Sequence, residues 1–334
     1  MKNFWAELPK PFFVLAPMAN VTDAAFRRII AKYSKIRHPM SDFVMYTEFV
    51  SADGLVLAGR EGRAKLMRDL VFSDAERPVV AQFFTSTPEH MEKAAALAQE
   101  LGFDGVDINM GCPDKTIEKQ NAGAKLILNP ERAQELIAAA KRGAPDLPVS
   151  VKTRLGYNKD ILEEWLPALL AAKPAAIALH ARTRKEMSEV PARWERVKRA
   201  VEIRNELKSK TLIIGNGDLK DVKDAEQKIK ETGADGAMLG RAVFGNPWLF
   251  SNSAELENMP LEKKLRVLVE HTKLFEELLG DIKSFAIMKK HFKAYCEGFP
   301  GAKELRIQLM ETKTAVEVER LVEEYILKNN EKGE

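Results

Sequence analysis

Val149-Ser150-Val151-Lys152-Thr153 is a short, buried-looking run with a lysine set inside it. Five residues are too few for a helix of ordinary length, and β-branched Val and Thr favour a strand. The run is apolar without strict alternation, as in a parallel sheet covered on both faces. Similar runs lie on either side of it. Upstream they fall at 12–17, 43–47, 79–84 and 105–109, downstream at 176–180, 212–215 and 236–239. Between them lie stretches of helical spacing at 23–32, 88–101, 130–142, 161–172, 192–207 and 220–232. The second of these begins Thr87-Pro88, an N-cap followed by proline at the first helical position.

Eight buried strands alternating with helices over roughly 250 residues predict an α/β fold, a (β/α)8 TIM barrel. A doubly wound open sheet is the competitor, and the strand ends described below favour the barrel. After about Pro247 the pattern changes. Segments 261–279, 284–297, 303–310 and 315–327 all have helical spacing, and no strand signal remains. The expected division is a barrel over 1–250 and a small all-helical domain over 251–334.

Composition narrows the class. The chain has 334 residues, 45% hydrophobic and 30% charged, which suits a soluble globular protein with a sizeable core. Lys and Arg number 52 against 49 Asp and Glu. Nucleic-acid binding therefore cannot be read from net charge and requires a local patch. Two cysteines, Cys112 and Cys296, make no disulfide framework, and no metal-ligand spacing is present. Residues 1–10 do not resemble a signal peptide, and no apolar run approaches the ~20 residues of a membrane helix. A cytoplasmic protein, monomeric, without metal or membrane, is expected.

In barrels of this kind chemistry collects at the C-terminal ends of the strands. Those ends carry Pro17-Met18, Thr47-Glu48, Gln82, Asn109-Met110-Gly111-Cys112, Lys152 with Arg154, His180 with Arg182, Asn216-Gly217-Asp218, and Gly240-Arg241. Polar residues at almost every strand end argue for one large ligand with many polar edges. Glycines after the seventh and eighth strands, beside Arg241, suit a phosphate. Lys152 and His180 would face a ring system. A flavin fits, because a lysine stabilises the anionic reduced ring. Gln82 and Asn109 can then meet its opposite pyrimidine edge.

The chain resembles the tRNA-dihydrouridine synthases, in particular their bacterial B-type branch. The resemblance is carried by Ala16-Pro17-Met18, Tyr46-Thr47-Glu48, Asp107-Ile108-Asn109-Met110-Gly111-Cys112-Pro113 and Ala122-Gly123-Ala124. Val151-Lys152-Thr153-Arg154, His180-Ala181-Arg182-Thr183, Gly215-Asn216-Gly217-Asp218 and Gly240-Arg241-Ala242 also fit. The Asn-Met-Gly-Cys-Pro run is the most specific of these. The resemblance implies a barrel holding FMN, reduced by NADPH, followed by a helical domain that helps hold tRNA. Hydride would pass to C6 of a uracil and Cys112 would protonate C5. Pro17, Met18, Gln82, Asn109, Lys152, His180, Asn216, Gly217, Asp218, Gly240 and Arg241 would hold the cofactor. Glu48, Asn109, Arg154, Arg182, Lys289, Lys290, His291 and Arg306 would contact the substrate. The stretch 33–43 is longer than the resemblance leads one to expect.

A thiol, mostly protonated at neutral pH, can deliver that proton where a serine hydroxyl is far too weak an acid. Arg154 and Arg182 are not expected to touch the sulfur, since they would lower its pKa. Segment 113–123 reads as a mobile lid. Cys296 and Phe292 read as packing residues, in a region where Lys283, Lys289, Lys290, Lys293, Lys303 and Arg306 outweigh nearby acids. The rival readings are another flavin-dependent reductase of small molecules, a phosphate-binding lyase or isomerase, and a non-catalytic RNA-binding barrel.

Overall fold

A computed structural model describes residues 3–34, 43–251 and 259–330. Eight strands close into a parallel barrel in chain order. They are β1 (Phe12–Leu15), β2 (Phe43–Ser51), β3 (Val79–Phe84), β4 (Gly105–Met110), β5 (Val149–Arg154), β6 (Ala176–His180), β7 (Leu212–Asn216) and β8 (Gly236–Leu239). β1 closes the ring against β8, with Val14 opposite Met238. The open-sheet alternative is thereby excluded.

The strands look continuously apolar because both of their faces are buried. Phe12, Val14, Val44, Tyr46, Val80, Ala176, Ala178, Ile214 and Met238 form one cluster inside the barrel. Alternate residues such as Leu15, Met45, Ala81, Val106, Ile108 and Val151 join the larger cluster under the surrounding helices. The helix Phe4–Glu7, unforeseen from the sequence, plugs the N-terminal mouth. Its Trp5 is fully buried and lies 5.6 Å from the Phe12 ring. Polar side chains are thus pushed toward the opposite mouth.

Of the C-terminal helices, Leu261–Leu279 packs on the barrel helix Ala24–Ser34, Met288–Tyr295 and Ala315–Asn330 pack on Leu261–Leu279, and Ala302–Glu311 joins those two. Ala25, Ile29 and Trp248 share an apolar cluster with Leu268, Phe275, Phe292 and Val322. Phe292 and Cys296 are fully buried there, as packing residues should be. At this junction His271 and His291 meet edge to face, 4.6 Å apart, between Phe26 and Phe244. The expected domain boundary near 251 and the long 33–43 stretch fall largely on 252–258 and 35–42, outside the described residues. No helix among the described residues is long and apolar enough to cross a membrane.

Candidate active site

The C-terminal mouth of the barrel holds a cavity of about 570 Å³, within the range that small-molecule and cofactor sites occupy. Pro17, Met18, Gln82, Asn109, Cys112, Lys152, Arg154, His180, Arg182, Asn216, Gly217, Asp218, Gly240 and Arg241 all line it. Register explains the convergence. Asn109 pairs with Lys152 across β4 and β5, Arg154 with His180 across β5 and β6, and His180 with Asn216 across β6 and β7. Neighbouring strands from β4 to β7 therefore deliver these side chains to the same mouth.

Cys112 follows β4 directly. Asn109 Oδ1 accepts from the backbone N–H of Cys112 at 2.9 Å and of Gly111 at 3.1 Å, curling the chain into the cavity. The Cys112 carbonyl then accepts from Ala124 N at 2.9 Å. Gly123 permits this return. Its φ is +62°, and a Cβ there would stand 2.7 Å from the Cys112 carbonyl oxygen. Burial pushes the Cys112 thiol up, and Lys152 and Arg154 only partly offset that. The thiol is held as S–H at neutral pH. Segment 113–123 is fastened in this structure. Asp114 caps the turn Lys115–Glu118, and Glu118 is ion-paired with Arg184.

Lys152 is lowered to about 8, first by burial and then by Arg154, with Asp107 acting against both. It stays mostly charged at neutral pH. Burial, with Lys152, Arg154, Arg182 and Arg241 nearby, holds His180 well below its ordinary value, so the ring is neutral. His180 Nε2 faces Arg182 Nη1 at 3.2 Å, which makes that nitrogen the acceptor and puts the ring proton on Nδ1. The site therefore carries a net positive charge.

Arg154 and Arg182 spend most of their donors on the protein. Arg154 donates to the carbonyls of Gly111, Thr183 and Met187. Arg182 pairs with Asp218 and donates to the Val190 carbonyl. They brace the cavity wall, and no hydrogen bond joins either to the Cys112 sulfur. Asp218 in turn accepts from Arg241 at 2.7 Å and from Ala192 N at 2.8 Å. Its carboxyl is held below the usual range by these partners against the cost of burial.

Five expected substrate contacts lie elsewhere. Glu48 is buried beneath the C-terminal helices, ion-paired with Lys283, which also meets Asp69 at 2.7 Å. His291 is fully buried at the barrel–helix junction with a neutral ring, so it offers no surface to a partner. Both were expected to meet substrate because they sit in motifs; the motif residues here build the junction instead. Lys290 is exposed, with Lys289 and Arg306 half-buried, on the C-terminal helices rather than at the cavity. Sequence reasoning passed over Asp107, which is fully buried behind the cavity and raised to about 7 by burial. Its position two residues before Asn109 on one strand was the available signal. Phe49 and Ser188 also line the cavity without a sequence signal. Among the described residues no cluster of His, Cys, Asp and Glu could hold a metal ion.

Among solved structures, histamine dehydrogenase from Rhizobium sp. 4-9 matches with a TM-score of 0.52 at 12% identity, over 78% of this chain and 48% of that one. An amine oxidase acting on 6-hydroxypseudooxynicotine from Pseudomonas geniculata N1 matches with a TM-score of 0.52 at 13% identity, over 84% and 52%. These are likenesses of fold. Sequence comparison reaches further. A probable tRNA-dihydrouridine synthase from Staphylococcus aureus (strain MRSA252) is 38% identical over 97% of this chain and 96% of its own. A probable tRNA-dihydrouridine synthase 2 from Bacillus subtilis (strain 168) is 39% identical over 97% of both. The family model for dihydrouridine synthase (Dus) matches residues 14–331. With its barrel, its Cys112 loop and these relatives, the chain is an oxidoreductase that belongs to the dihydrouridine synthase family.

Proposed function

We propose that this protein reduces the C5–C6 double bond of uridine in tRNA, using FMN reduced by NADPH. The observation that carries the reading is the placement of Cys112. A thiol kept protonated by burial opens onto the same cavity as Lys152, His180 and Arg241.

The donor set suits FMN. Gly217 and Gly240 leave backbone N–H groups bare beside Arg241, as a phosphate requires. Asp218 is acceptor-only and repels a phosphate, so its part is to hold Arg182 and Arg241 in place. Lys152 is the cation for the electron-rich pyrimidine edge of a reduced ring. When bound, the flavin supplies a hydride to C6 of the uracil. That leaves an electron pair over C5 and the C4 oxygen of the base. Cys112 donates its S–H proton to C5 and is reprotonated from solvent, and the base leaves saturated. Asn109, through its grip on the Cys112 backbone, keeps the sulfur aimed.

A base inside a folded tRNA must be turned out to reach the cavity, which leaves flanking phosphates for the protein to hold. The helical part over 251–334 is the proposed RNA-holding domain, with Lys289, Lys290 and Arg306 as its phosphate contacts.

Purified protein should be yellow or take up FMN. A colourless protein that cannot be loaded would end the flavin reading. Nucleoside mass spectrometry of tRNA from cells lacking the gene should show lost dihydrouridine, restored by the gene. Cys112→Ala should still allow flavin reduction by NADPH, while turnover on tRNA falls by ~10²–10⁴-fold, the usual contribution of a positioned acid. Normal turnover in that variant would refute the proton assignment.

A further inference from the structure

Behind the cavity the barrel interior holds a buried polar series that ends in Asp107, a residue the chemistry above does not use. Asp107 sits on the inner face of β4, in register with Gln82 on β3 and Ser150 on β5. Its Oδ1 accepts from Ser150 Oγ at 2.6 Å and its Oδ2 from Gln82 Nε2 at 2.7 Å. Gln82 Oε1 accepts from Asn109 Nδ2 at 3.2 Å. Asn109 Oδ1 accepts from the backbone of Gly111 and Cys112.

The direction of this series is forced. Backbone amides only donate, so the Asn109 atom facing them is oxygen. Its nitrogen then faces Gln82, whose oxygen must face it in turn. The Gln82 nitrogen is left pointing at Asp107, and only an acceptor can close the series there. Each amide nitrogen carries two hydrogens and spends one of them. Gln82 and Asn109 both line the cavity, so each has one N–H left for a ligand.

We propose that Asp107 is a positioning residue: it locks the side-chain amides of Gln82 and Asn109 in series, so that both offer N–H donors to an acceptor edge of the bound ring and the Cys112 backbone is held. The nature of that ring rests on the flavin and uracil reading above. The lock survives protonation. A proton on Oδ1 can be donated to Ser150 Oγ, whose own hydrogen turns to the Val106 carbonyl 3.4 Å away. Oδ2 still accepts from Gln82. Asp107→Asn reproduces this arrangement, with its carbonyl toward Gln82 and its NH2 toward Ser150. Asp107→Leu keeps the bulk and removes the acceptor.

The test compares these two variants in apoprotein, by FMN titration and by hydrogen exchange at the amides of Gly111 and Cys112. Asp107→Leu should weaken FMN binding and speed that exchange by about tenfold each, the scale of one lost hydrogen bond. Asp107→Asn should stay within about threefold of wild type on both. Wild-type behaviour of Asp107→Leu overturns the proposal, and so does an Asp107→Asn as impaired as Asp107→Leu. If Asp107→Leu does not fold, Gln82→Leu breaks the same series one link higher, and unchanged exchange at Gly111 and Cys112 then overturns it. Wild-type protein that takes up no FMN defeats the flavin reading, while the exchange measurement still decides the lock.

Discussion

Lys152 reaches the cavity from β5, lowered to about 8 by burial and by Arg154. It is cationic below that value and neutral above it. The rate of flavin reduction by NADPH should therefore fall as pH rises through about 8, and Lys152→Met should abolish that limb of the pH profile of this half-reaction. An unchanged profile in the variant would place the titration elsewhere. At this scale much of the cavity wall was legible in the sequence, because a polar residue ending a buried strand has few other reasons to be there. Glu48 and His291, expected at the substrate, instead lie buried at the junction with the C-terminal helices. A motif residue can build a junction as well as a site, and only packing tells them apart. Asp107 escaped notice because a carboxylate inside a barrel is costly, and nothing in its own strand reveals the Gln82 and Ser150 partners that offset the cost.

The Cys112 loop is the element on which the proposed chemistry turns. Gly123→Ala puts a Cβ 2.7 Å from the Cys112 carbonyl, on backbone with φ at +62°. It should cost about 1–3 kcal/mol of stability in urea denaturation and slow turnover, since the loop must shift to make room. Equal stability and activity would show that the loop tolerates another path. Strands were the most legible elements. Those at 79–84, 176–180 and 236–239 have the bounds the sequence predicts, because runs buried on both faces end sharply at turns. Two helices after β2 were missed for opposite reasons. Ala52–Leu57 is short and contains Gly54, while Arg60–Asp69 buries none of its residues and so shows no apolar period.

At the scale of the whole molecule, the junction between barrel and C-terminal helices is unusual in its polar content. No ring nitrogen of His271 or His291 has a hydrogen-bond partner among the described residues. Burial lowers His271 to about 3, and His291 is held well below its ordinary value by burial, His271 and Lys290. The unfolded chain takes up protons at these positions below about 6.5, while the folded chain does not. Their contribution to stability is thus complete above about pH 6.5 and is lost as pH falls toward 3. His271→Leu should gain on wild type by up to about 1.4 kcal/mol per pH unit below 6.5, measured by urea denaturation at several pH values. A constant difference would mean that His271 is not a neutral buried group. None of this was visible in the sequence, where the two histidines are twenty residues apart on different helices.

Lys283 crosses the same junction to reach Glu48, with Asp69 beside it and the buried carboxyl of Asp23 near enough to be raised to about 7, first by burial and then by Glu48. Lys283→Met should cost about 3–5 kcal/mol in urea denaturation, because it strands carboxylates in a buried place. A loss under ~1 kcal/mol would mark the pair as a surface one. The two halves of the chain are consequently not interchangeable parts. A chimaera joining this barrel to a relative's helical segment inherits an unbalanced charge unless the donor brings its own cation to that spot. Any exchange of the helical segment has to keep a cation at the place of Lys283, opposite Asp23, Glu48 and Asp69.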